Sequence, residues 1–144
     1  MPQIKALLEL GPASAYQNDG PGFLYYPIRV APGYQAAVEI KAGHTNDFRR
    51  RQHQYKKCKK GQDLWFVAYC ETPYRMFAER LIHLRLRALG AHVDSYPCPG
   101  CGKEHREFFL LDIIGGFPEF EDVVCWAVTQ AGGAYIRQNF LVES

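Results

Sequence analysis

Two strand-forming runs separated by a Pro-Gly pair constrain the fold of this chain most. The first, FLYYPIRV over 23–30, is rich in aromatic and β-branched residues, and the second, YQAAVEIKA, spans 34–42. Pro32-Gly33 stands between them, so together they predict an antiparallel hairpin. Pro27 has no N–H to give a ladder, which puts the first run at a sheet edge or at a bulge.

Behind the second run the chain turns at Gly43 and then becomes strongly basic. Arg49, Arg50, Arg51, Lys56, Lys57, Lys59 and Lys60 are seven of the chain's 17 Lys and Arg, fall within 12 positions, and have no acid among them. That run carries +7 while the whole chain sums to +2, so the remainder is net acidic. A patch this dense can hold a polyanion, and a phosphate backbone is the commonest one. The alternative is a solvated lysine-rich helix face.

Length and composition set the remaining bounds. A chain of 144 residues predicts one domain over 1–144, long enough to bury a core. With 47% hydrophobic and 14% aromatic residues it is expected to be globular. No apolar run approaches the roughly 20 residues that span a bilayer. MPQIKALLELGP lacks the apolar core and cleavage site of a signal peptide. The expectation is an intracellular protein, of cytoplasm or nucleus, with no membrane partner. Five cysteines in a reducing compartment read as free thiols or metal ligands.

The other elements follow from local signals. An N-terminal helix is predicted over 2–10, ended by Gly11-Pro12, with a turn-rich loop over 11–22. Asn46 or Asp47 caps a basic helix from about 47 to 58 that Gly61 closes. DLWFVAYCE (63–71) reads as a third strand. A helix over 73–89, capped by Thr72 and opened by Pro73, stops at Gly90. REFFLLDII (106–114) reads as a strand, 118–131 as a last helix, and AYIRQNFLV as a strand or an ordered tail. The plan is α+β: a small antiparallel sheet of three to four strands flanked by helices, with a zinc-knuckle loop appended. Residues 1–20 and 115–144 either complete the core or make a homodimer contact.

On the 73–89 helix Phe77, Leu81, Leu84 and Ala88 form an apolar arc, with Glu79, Arg80, His83 and Arg87 opposite. Arg85 falls within the arc, as a side chain that reaches round to solvent or to a partner. Phe23, Tyr26, Trp65 and Phe66 read as packing residues rather than stacking platforms. Cys70 and Cys125, in apolar runs, read as buried thiols.

CPGCGKEH carries the metal signal. Cys98-x-x-Cys101, followed by Gly102, is a knuckle turn whose two sulfurs reach one tetrahedral ion, and His105 adds a third ligand. Cys58, a thiol among lysines that favour the thiolate, is the fourth, with His53, His83 and His92 as alternatives. Four protein ligands make such a Zn²⁺ structural.

GFLYYPI, then EIKAGHTNDFRRR, then FAERLIH resemble the GIY-YIG nuclease superfamily in order and spacing, over roughly residues 22–110. The resemblance is greatest to a phage and fungal branch whose second motif reads Lys-x-Gly, and CPGCGKEHREFF is similar to a segment that follows in that branch. It implies a catalytic set of Tyr25, Lys41 (where many members carry tyrosine), Arg51, Tyr55 and Glu79. Glu79 matches the ligand of a catalytic Mg²⁺ or Mn²⁺. His44 with Arg49, Arg50, Lys56, Lys57, Lys59 and Lys60 would meet flanking backbone. The expected activity is metal-dependent hydrolysis of DNA phosphodiesters, with RNA as the other candidate polymer. A non-catalytic zinc-containing nucleic-acid-binding module on the same fold is the alternative. The chemistry fits these residue types. A carboxylate holds Mg²⁺, an arginine forks onto phosphate oxygens, and a tyrosine orients or deprotonates the attacking water. Lys41 lowers the pKa of Tyr25 if they adjoin, or contacts phosphate.

Overall fold

The computed structural model describes residues 2–30, 38–56, 64–95, 97–98 and 102–139. In chain order these form α1 (Pro2–Leu10), α2 (Pro12–Ala15), β1 (Gly22–Val30), β2 (Val38–Lys41), β3 (Gly43–Thr45) and α3 (Phe48–Gln54). Then follow β4 (Leu64–Thr72), α4 (Arg75–Ala88), β5 (Phe108–Leu110), α5 (Leu111–Ile114), α6 (Phe117–Gln130) and β6 (Gln138–Asn139). The class is α+β as expected, with six strands among the described residues in the order β5-β2-β1-β4-β6 and β3 also on β1. Every pairing between these strands is antiparallel.

The sheet has more strands than expected because the second run breaks. Ile28 pairs with Ile40 and Tyr25 with Gly43 in one unbroken register, so β1 passes from β2 to β3 across an interruption of the ladder at Ala42, which is fully buried. The hairpin expectation is met by the β1–β2 pairing, and its Pro32-Gly33 turn lies outside the described residues. β1 lies inside the sheet, and Pro27 is accommodated by a bulge: the register against β4 shifts between Tyr26 and Pro27. The tail adds β6, which pairs Gln138 and Asn139 with β4.

Period-2 alternation gives the sheet two covered faces. Leu24, Tyr26, Ile40, Ala68 and Phe109 enter one cluster with Phe77, Leu81 and Ile82 of α4 and Phe120, Val124 and Val128 of α6. The described part of residues 115–144 therefore completes the core. On the other face Tyr25, Phe66 and Phe108 pack with Tyr55 and Cys98. Tyr26 donates its hydroxyl to Cys70 Sγ at 3.2 Å, and burial pushes that thiol up to about 11. Cys70 is buried as expected and Cys125 only half-buried.

Four local expectations need correction. α4 begins at Arg75 rather than at Pro73, and Thr72 does not cap it. Asp19, from the 11–22 loop, accepts the N–H of Met76 at 2.9 Å and of Phe77 at 2.8 Å instead. The 106–114 run is a strand only to Leu110, where the ladder to β2 ends at Glu39, and then turns helical to bury Ile114. His83 is buried, not on an exposed polar face. Trp65 is 49% exposed and does not pack in the core, unlike Tyr26 and Phe66. Arg85 finds its partner on α6, with its guanidinium carbon 4.5 Å from the Trp126 ring centroid.

Candidate active site

Beside Lys41 and Gly43, which flank the break at Ala42, lies a cleft of about 220 Å³ lined by Tyr25, Lys41, His44, Arg51 and Glu79, with His83, Arg106 and Glu107. Each side chain arrives for a local reason. Tyr25 projects from β1 across Gly43, where a Cβ would lie 2.3 Å from its Cζ, so only glycine lets the ring lie there. Lys41 ends β2 opposite Phe108, its Nζ 5.8 Å from that ring.

Arg51 is placed by the periodicity of α3. Asp47 caps that helix by accepting the Arg50 N–H at 3.1 Å. Phe48, Arg51, Gln52 and Tyr55 then share its inner face, which packs through Phe48 and Tyr55 on Tyr25 and Phe66. Arg49, Arg50, His53 and Lys56 are exposed on the outer face. Among the described residues Arg51 is thus the one base of the run turned inward, 6.0 Å from the Tyr25 ring centroid. Lys57, Cys58, Lys59 and Lys60 lie outside the described residues, as do Gly61 and Cys101.

Glu79 comes from the second turn of α4. His44 Nε2 and His83 Nδ1 each stand 3.7 Å from one of its carboxylate oxygens. Burial raises its pKa to about 7, against the pull of Lys41, the His44 backbone N–H and Arg51. His83 Nε2 contacts the Ala42 carbonyl at 2.8 Å. A carbonyl only accepts, so Nε2 carries the proton. Burial pushes the ring down to about 4, so it stays neutral and turns an Nδ1 lone pair toward Glu79. When Glu79 is ionised two acceptors face each other, an arrangement that a proton on the carboxyl or a shared cation satisfies.

Burial, then the Tyr55 neighbour, raises the Tyr25 pKa, and Arg51 opposes this only in part. Tyr25 accordingly holds its proton at neutral pH. The Lys41 charge bears on Glu79, while Arg51 is the cation acting on Tyr25. Burial, with Arg75 and Arg51, lowers the His44 pKa and keeps its ring neutral, and its buried Nδ1 has no hydrogen-bond partner among the described residues.

Sequence reasoning assigned no catalytic role to His83, Arg106 or Glu107. The β2–β5 pairing brings the last two to the cleft. Glu107 has φ 64, a left-handed backbone unusual for a side chain of its size, and Arg87 Nε donates to it at 3.2 Å. Burial alone would raise its carboxyl, but the Arg87 guanidinium holds it below its usual range. The one available signal was its place in HREFF, ahead of a strand.

Cys98 and His105 stand beside α3. Cys98 donates its N–H to the Lys103 carbonyl at 2.9 Å and accepts the Gly102 N–H at 2.8 Å, with Gly102 at φ 75. His105 stacks on Tyr55, ring centroids 5.4 Å apart, and burial keeps it neutral, the form that ligates metals. Among the described residues no three His, Cys, Asp or Glu form a metal-holding group. His83 is engaged in the cleft, and His92 contacts Arg87 at 3.3 Å.

The sequence matches the T5orf172 domain over residues 22–127, a domain found in phage and fungal proteins and related to nucleases of the GIY-YIG and HNH kinds. Neither a curated protein nor a solved structure matches the chain.

Proposed function

The chain belongs to the T5orf172 domain family, and from that premise we propose that it is a metal-dependent DNA endonuclease of the GIY-YIG kind. The observation that carries this reading is the single cleft into which β1, β2, β3, α3 and α4 deliver Tyr25, Lys41, His44, Arg51 and Glu79.

The residues divide the work by their chemistry. Arg51 presents a planar fork to the scissile phosphate, and Lys41 adds a point charge. Tyr25, protonated, orients the attacking water as a hydroxyl donor, and Tyr55 buttresses its ring at 6.2 Å. His44 is the neutral group that accepts the water's proton. Glu79 would hold Mg²⁺ or Mn²⁺, and one carboxylate with waters suits an ion that keeps much of its hydration. When bound, the cation neutralises phosphate charge and stabilises the leaving oxygen. Arg49, Arg50 and Lys56, with Lys57, Lys59 and Lys60, carry flanking backbone. Cys58, Cys98, Cys101 and His105 would hold a structural Zn²⁺.

Incubation of the purified protein with plasmid and Mg²⁺, against an EDTA control, tests the reading: metal-dependent nicking or linearisation is expected. The protonated state of Tyr25 favours one second reading, a nucleic-acid-binding module that has lost its chemistry. Salt-dependent DNA binding with no cleavage under any divalent cation would select it.

A further inference from the structure

A groove of about 520 Å³ lies along the same strand as the cleft, and Phe23, Asn46 and Glu71 are among its lining residues. Phe23 and Tyr25 are two positions apart on β1, so their side chains share one face about 7 Å apart. The half-buried Phe23 ring is braced edge-on by Phe48 and by Tyr69, each at 6.0 Å between centroids. Glu71 is its cross-strand partner on β4, and Asn46 follows β3 directly, both with exposed side chains. The groove therefore combines an aromatic wall, a carboxylate acceptor and an amide that both donates and accepts.

Arg75 stands between groove and cleft. It donates to the Gly20 carbonyl at 3.3 Å and the Pro21 carbonyl at 3.5 Å, and a Cβ on Gly22 would lie 2.7 Å from its Cδ. Gly22 lines the groove, while the Arg75 charge is felt at His44, which lines the cleft. Among the described residues Arg75 makes no ion pair, so its charge is available to a phosphate.

We propose that the groove is a subsite for the nucleotide adjoining the scissile phosphate. The unstacked base lies on Phe23, Asn46 and Glu71 meet its edge, and Arg75 takes the neighbouring phosphate. This deepens the nuclease reading and rests on it. An occupant of this kind follows from the continuity of groove and cleft along β1, and from stacking walls serving any base.

The test compares a mixed-sequence single-stranded DNA 12-mer with a 12-mer of abasic residues, by fluorescence anisotropy in EDTA. The wild-type protein should bind the base-bearing strand at least about tenfold more tightly, the scale of one stacked base. Asn46→Ala and Phe23→Leu should shrink that ratio and leave abasic affinity unchanged. Asn46 is exposed, so its variant stays informative if Phe23→Leu fails to fold. Equal wild-type affinity for both strands, or an Asn46→Ala protein that keeps the whole ratio, overturns the subsite. If plasmid is still cut with Mg²⁺, the subsite alone fails. If plasmid is neither cut nor bound and neither strand binds, both readings fail.

Discussion

A methyl group at position 43 would sit 2.3 Å from Cζ of Tyr25, inside any tolerable contact, and the neighbour it displaces is the ring that lines the cleft. Gly43→Ala should therefore lower plasmid cleavage at least about 100-fold, the scale of losing one transition-state partner, and lower the melting temperature as well. Arg51→Ala and Glu79→Gln should each cost as much in cleavage while leaving the melting temperature near wild type. A wild-type rate in Arg51→Ala would remove that residue from the mechanism. Arg49→Ala and Arg50→Ala, on the outer face, should weaken binding and reduce its salt slope without a comparable loss of rate. Glu79 also sets a pH dependence. Its folded pKa, about 7, lies above the ordinary 4.5, so the native state binds more protons than the unfolded state between those values. The Glu79 contribution to stability in EDTA should then fall as pH rises from about 4.5 to 7. His83 and His44 contribute the opposite way, because their lowered pKa values favour the fold as pH rises, so the slope of Glu79→Gln should be more positive than that of the wild type. Below pH 7 a cation must displace the proton, so Mn²⁺ affinity should rise about tenfold per pH unit until it levels off. A Mn²⁺ affinity flat from pH 5 to 7 by calorimetry would show that Glu79 is not the ligand.

Among the elements, α4 shows where local signals suffice and where they do not. Its existence follows from the apolar arc of Phe77, Leu81 and Leu84, all buried. Its start does not, because the cap comes from Asp19, 57 residues before Met76. Pro73 and Thr72 supplied a plausible start that a distant carboxylate overrode. The break at Ala42 was illegible for a similar reason. Nothing in Lys-Ala-Gly-His forbids a continuous strand; the ladder lapses opposite the β1 bulge at Tyr26 and Pro27, and the Ala42 carbonyl contacts His83. Of the cleft, Tyr25, Lys41, Arg51 and Glu79 could be named in advance because their order follows known motifs. Arg106 and Glu107 could not, since only the β2–β5 register brings them there. The Asp19 cap is testable. Asp19→Ala should cost about 1 kcal/mol and a few degrees of melting temperature, with Asp19→Asn recovering most of it. Glu79 lies within a turn of the capped N–H groups, so Asp19→Ala should also raise the Mg²⁺ concentration needed for half-maximal cleavage.

Taken as a whole, the molecule has a helical layer on one face of its sheet and α3 with the knuckle loop on the other. No helix among the described residues is long and apolar enough to cross a membrane. Among the described residues the second face has the smaller buried cluster: Tyr25, Tyr55, Phe66, Cys98 and Phe108. It also holds Arg51 in place, and the buried Arg29–Glu39 pair, with Arg29 3.7 Å from the Phe108 ring centroid, adds to it. A zinc ion is the candidate for a further tie. Tyr55 stacks on His105 and shares a buried cluster with Cys98, so the end of α3 already lies against the knuckle. Cys58 follows Tyr55 by three residues, a stretch that extends at most about 11 Å. An ion bound by Cys58, Cys98, Cys101 and His105 would join the basic helix to the loop before β5, supplying folding free energy on the order of 10 kcal/mol as in small zinc domains. Stripping it with a chelator should lower the melting temperature and DNA affinity together, and Mg²⁺ should restore neither. Elemental analysis of the purified protein should find about one zinc per chain. Cys58→Ser should lower that content, whereas Cys125→Ser, at a half-buried position on α6, should not. Cys70→Ser should keep the zinc too, since its sulfur is occupied by the Tyr26 hydroxyl on the opposite face. A full zinc complement in Cys58→Ser would detach α3 from the metal, leaving its packing through Phe48 and Tyr55 as its described anchor.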